Sequence, residues 1–142
     1  MAEVAPHYGA QTKARKAALD ILFMAEQRDA GLSETFAEQR TLTGNPTREL
    51  TRSIILGVVE HGHDIDTRIM HATTDAWPIE RMPAVDRNLA RIAVFEMDYT
   101  DTPPQAVIAE AVRLAGDLST DESPAFLNVL LSKALAEKPT TN

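Results

Sequence analysis

The sequence predicts an all-α fold. Every strong hydrophobic periodicity in it is helical, and no stretch of five or six residues alternates strictly between apolar and polar. Proline, glycine and hydroxyl residues punctuate the chain where helices would start and stop.

Ala14, Ala18, Ile21, Leu22 and Ala25 recur at helical spacing and mark the apolar face of a first amphipathic helix. Gly31 and Gly44 break the pattern, and Asn45-Pro46 reads as an N-cap with proline at the first helical position. Leu50, Ile54 and Val58, followed by Ile65 and Ile69, continue the core-facing pattern. The Trp77-Pro78 junction ends it, and Val85, Leu89, Ile92 and Ala93 mark another helix. Thr102-Pro103-Pro104-Gln105 fits a capping box before Val107, Ile108, Ala111, Leu114, Ala115 and Leu118. Ser123-Pro124 repeats the signal before Phe126, Leu127, Leu130, Leu131 and Ala134. Residues 1–10 and 137–142 lack periodicity and are expected to be loose. Residues 1–142 thus read as one domain, a compact bundle of about seven short helices.

Composition narrows the function. With 44% hydrophobic and 25% charged residues the chain is an ordinary globular protein. No run of 18 apolar residues offers a membrane span, and MAEVAPHYGA has no apolar signal core. The absence of cysteine excludes disulfides and thiolate zinc sites and fits a reducing cytoplasm. A net charge of −7 makes a poor general nucleic-acid binder, so any RNA role needs a local basic patch. Lys13, Arg15 and Lys16, against the single acid Glu3, supply one.

The stretch VEHGHDID at 59–66 holds two histidines and two aspartates. On a helix His61 and His63 point about 200° apart, whereas helical metal ligands prefer i, i+4 spacing. His61 shares a face with Asp64 and His63 with Asp66, so no face collects three ligands unless Gly62 breaks the helix. The expected state is a solvated surface without metal, in which Asp64 pairs with Arg68. Phosphate-binding loops, nucleophile elbows and cysteine nucleophiles are absent too, so neither an enzyme nor a cofactor is expected.

On the first helix Lys16 and Phe23 are nearly eclipsed, and Arg15, Leu19 and Phe23 form an adjoining ladder. Cations beside an aromatic ring suit single-stranded RNA, whose bases stack while its phosphates pair with Lys or Arg. The alternative packs Phe23 into the core and leaves the cations merely solvated. Arg87 and Arg91 form a second basic pair, opposite Val85, Leu89 and Ile92. Glu96 falls on the apolar face and calls for an internal partner.

Three stretches, KARKAALDILFMAEQ at 13–27, VDRNLARIAVFEM at 85–97 and PQAVIAEAVRLAGDLSTDESPAFLNVLL at 104–131, together resemble the NusB family of bacterial transcription antitermination factors. The resemblance implies two small helical bundles packed side by side and a non-enzymatic role. Family members bind the boxA element of ribosomal RNA operon transcripts together with NusE, a ribosomal small-subunit protein, and act on the RNA polymerase elongation complex. The family's basic N-terminal segment corresponds to Lys13, Arg15 and Lys16, and further basic positions to Arg87 and Arg91. Phe23 stands at a commonly aromatic position, while Asp86, Glu122 and Phe126 match positions facing NusE. Some members form homodimers that cover the RNA surface.

Val129 stands where relatives often carry glycine, and the N-terminal patch has fewer cations than in some of them. The same module occurs in ribosomal RNA cytosine methyltransferases, but after residue 131 too little chain remains for their catalytic domain. A helical protein–protein adaptor without RNA contact is the rival reading, and the acidic pI of about 5.0 favours it.

Overall fold

A computed structural model describes residues 8–44, 46–73 and 78–138. They form six α-helices, α1 (Ala10–Gln27), α2 (Leu32–Thr43), α3 (Glu49–Ala72), α4 (Ala84–Tyr99), α5 (Pro104–Leu118) and α6 (Ser123–Ala136). A single 3-10 turn, Ile79–Arg81, precedes α4. There is no strand among the described residues. The all-α expectation holds, with six helices and this turn in place of about seven helices.

Helices α1 and α2 pack on each other and on α3, α1 and α3 also pack on α4, and α4, α5 and α6 pack on one another, with α6 also reaching α3. The helices share one apolar core, to which Ile54, Ile55, Ile65 and Ile69 of α3, Leu89 and Met97 of α4, Leu114 of α5, and Leu127 and Leu131 of α6 contribute. The buried face of α1 is rotated from the sequence expectation: Leu19 is buried and Ile21 only half-buried. Two helices, α3 and α4, contact α1 beside α2, so its covered side extends past the stripe that periodicity marks.

The helix ends correct several sequence signals. Asp29 (φ 50°) closes α1, with the Ala30 N–H on the Ala25 carbonyl at 2.9 Å and the Asp29 N–H on Glu26 at 3.2 Å. That is a Schellman closure with aspartate in the left-handed position. Gly44 (φ 66°) ends α2, where the missing Cβ permits the same conformation. Asn45 lies outside the described residues, and α3 begins only at Glu49. Residues 46–48 are not helical, and they deliver α3 to the flank of α1, where the Thr51 hydroxyl donates to the Ala14 carbonyl at 2.9 Å. The expected capping box does not form, because Pro103 caps α5 and the Thr102 hydroxyl bonds to Thr100 instead. At the N-terminus Tyr8 is ordered and buried, its hydroxyl donating to Asp117 at 2.7 Å. Residues 8–10 therefore belong to the fold, whereas 1–7 and 139–142 lie outside the described residues.

Inside α3 the backbone of His61 leaves helical geometry (φ −114°, ψ 15°), one residue before the glycine that the sequence marked as the break. Closer approach occurs at Gly57, where an added Cβ would stand 1.9 Å from the Phe95 ring of α4. Phe95 is itself buried and stacked on Tyr99, so it has little room to yield. Gly57→Ala is therefore expected to destabilise the fold by about 1–3 kcal/mol through overpacking. Urea unfolding measures this, and an unchanged midpoint would show that the α3–α4 crossing relaxes freely.

Candidate nucleic-acid and partner interfaces

The outer face of α1 carries Lys13, Lys16 and Phe23. Lys16 holds Asp20 one turn on at 3.0 Å, an exposed pair that contributes little stability. Phe23 is 38% exposed and stands among the large apolar side chains open to solvent, which disfavours the core reading of that ring. Cations and an aromatic thus share one accessible helix face.

Arg15 does not join them. It is 7% exposed, and its Nε and Nη2 donate to the two oxygens of Glu96, each at 2.8 Å. Its Nη1 donates to Glu110 at 2.9 Å, and Thr12 donates to the same Glu110 oxygen at 2.7 Å. Donating to the Glu96 carboxylate raises the Arg15 pKa further, so the guanidinium stays charged. Glu96, 1% exposed, thus has its internal partner in Arg15, the residue expected to hold phosphate. A buried carboxylate outcompetes an external anion for this guanidinium because the pair is already desolvated.

Arg87 and Arg91 are likewise committed inside the molecule. Arg87 pairs with Glu26 of α1 and donates to the carbonyls of Ile79 at 3.1 Å and Met82 at 2.8 Å. Burial, with a smaller push from Arg91, lowers the Arg87 pKa. Arg91 grips Asp66 of α3 at 2.8 and 3.1 Å and reaches Glu26 at 3.2 Å. The pair that helical spacing placed on solvated surface instead ties α1, α3 and α4 together. The sequence missed it because Glu26 lies sixty-one positions from Arg87 and arrives only through folding.

The histidine stretch also has structural partners. The His61 ring stacks on Tyr99 with centroids 3.9 Å apart and planes 10° from parallel. Arg68 passes over Asp64 and binds Asp98 at 2.8 and 3.0 Å, with a further bond to the Ala134 carbonyl at 2.8 Å. Among the described residues no three His, Cys, Asp or Glu side chains are grouped to hold a metal.

At the other end of the fold, Glu122 caps α6 and is exposed, and Phe126 follows one turn later, half-buried against the core. Val129, 67% exposed, extends this edge by another turn. Asp86 is fully buried, so it cannot touch a partner directly. Its Oδ1 accepts the Ser119 hydroxyl, Ser123 donates to Ser119 at 3.0 Å, and Thr120 and Ser123 share a bond of 2.8 Å. This relay fixes the turn that presents Glu122.

The NusB family model matches residues 12–136. The chain belongs to the NusB family. A transcription antitermination protein NusB from Nocardioides sp. is 43% identical over 135 residues, covering 92% of this chain and 96% of the relative. The NusB of Thermobifida fusca is 43% identical over 132 residues, covering 92% of each. The solved structure of NusB from T. maritima superposes with a TM-score of 0.80 at 29% identity, covering 92% of this chain and 94% of that one. A crystal structure of NusB and NusE in complex with dsRNA has the same fold, with a TM-score of 0.78 at 23% identity, covering 90% of this chain and 97% of that one. Within this NusB fold, the described residues contain no helix long and apolar enough to cross a membrane.

Proposed function

We propose that this NusB family member is a cytoplasmic, non-enzymatic transcription antitermination factor that binds boxA RNA together with NusE and acts on the RNA polymerase elongation complex. The observation that carries the proposal is 43% identity to transcription antitermination proteins along almost the whole chain. Residues 1–142 would work as one RNA-binding domain. Lys13 and Lys16 supply phosphate contacts and Phe23 a stacking platform, while Arg15, Arg87 and Arg91 hold α1 in place beneath them. Glu122 and Phe126 face NusE, and Asp86 supports that edge through Ser119 instead of touching the partner.

The adaptor reading retains one specific support. Three of the six residues expected to bind RNA spend their charge internally, in a chain of net charge −7. A gel-shift with boxA-like RNA, with and without NusE, separates the two readings. Lys13→Ala/Lys16→Ala should flatten the log–log salt slope by about 0.7 unit per lost contact, whatever the RNA sequence. Phe23→Ala should cost about 1–3 kcal/mol of RNA affinity with the slope unchanged. RNA affinity that ignores all three substitutions would leave the adaptor standing.

A further inference from the structure

Four of the cations left without a carboxylate partner among the described residues share one side of the fold. Lys13, Arg40, Arg48 and Arg52 form no ion pair among the described residues, and all four lie on α1, α2 and the start of α3, which pack on one another; Arg81 and Lys133, also without one, lie elsewhere. A groove of about 350 Å³ runs through this corner. Ala17, Asp20 and Ile21 of α1 form one wall, and Arg40 and Arg48 stand on the other side. Ala17 is one turn from Lys13 and Asp20 one turn from Lys16, so the groove opens beside the ridge that carries the lysines.

The groove suits an extended polyanion. Arg40 is stacked on Phe36 at 5.6 Å from the ring centroid, which holds the guanidinium plane at the groove without neutralising it. Asp20, the acid on the wall, is already paired with Lys16. Gln39, Thr43 and Thr47 add neutral polar groups, and the groove has the size of a small ligand site rather than of a folded partner. In a chain of net charge −7, Arg40 and Arg48 on one groove, with Lys13 nearby, are a local concentration of positive charge.

We infer that this groove receives the phosphodiester backbone of single-stranded RNA as it leaves the Lys13–Lys16 ridge, with Arg40 and Arg48 as its phosphate ligands. The inference rests on the RNA-binding reading and lengthens its track from one helix face to two. Phosphate contacts of this kind position the strand without reading sequence.

The test compares a boxA-like RNA with the same RNA extended at both ends, measured by fluorescence anisotropy across a salt series. Arg40→Gln/Arg48→Gln should flatten the salt slope for the extended RNA by about 1.4 units and leave the short RNA unchanged. Arg40→Lys/Arg48→Lys, which keeps both charges, should retain the parent slope. A parent slope for the glutamine variant on the extended RNA overturns the inference alone, provided that Lys13→Ala/Lys16→Ala still weakens binding. A glutamine variant that loses NusE but not RNA assigns the groove to protein contact and also overturns it. If the parent chain binds neither RNA, the reading and the inference fall together.

Discussion

Arg15→Ala is expected to lower the stability of the fold by about 3–5 kcal/mol, the cost of leaving a buried charge without its partner. Glu96 would keep its carboxylate inside the core with neither of its 2.8 Å bonds, and Glu110 would lose its bond at 2.9 Å. For a chain of this size the thermal midpoint should fall by roughly 10–17 °C. The companion variant Arg15→Met/Glu96→Met removes both charges together, and replacing a buried pair by apolar groups is often neutral. It should recover most of the lost midpoint and bind RNA with the parent salt slope. A different result would return Arg15 to the RNA surface: an Arg15→Ala protein that melts like the parent yet shows a flatter salt slope.

The second large effect is expected at the NusE-facing edge. Phe126→Ala should weaken NusE binding by about 2 kcal/mol or more, in the range of aromatic hot spots. Part of the ring packs on the core, so this variant should also lose some stability. Glu122→Lys separates the two contributions, since its exposed side chain should leave the midpoint nearly unchanged while association with a basic partner slows. RNA binding without NusE should stay at the parent level for both variants. Should Glu122→Lys associate at the parent rate in low salt, the interface lies on another face.

The helices were largely legible in the sequence, because the core-facing residues of α3 to α6 recur at the helical period and burial follows that period. Helix α2 was not, since only Thr35 and Phe36 are buried along its twelve residues and so weak a stripe leaves no periodic trace. Two of the cap signals failed for a related reason, whereas Ser123-Pro124 does open α6. Asn45-Pro46 and Thr102-Pro103 describe local preferences, but the positions of α3 and α5 are set by contacts with α1 and α4. At the candidate site, Phe23, Lys13 and Lys16 lie on the accessible face that the wheel gave them. Arg15, Arg87 and Arg91 do not, because an arginine's charge says nothing about a carboxylate more than twenty positions away. Glu96 carried the usable signal: an acid on an apolar face implies a buried base, and Arg15 was the cation at hand.

Helix α3 packs on α1, α2, α4 and α6, and it bends at His61. Its 24 residues span roughly 36 Å, so one element reaches from Arg48 in the cationic corner to the Arg68 contact with α6. Its four buried isoleucines sit in the one core that the other helices share. With one core built around one long helix, the two ends of the molecule are expected to gain or lose order in a single cooperative step.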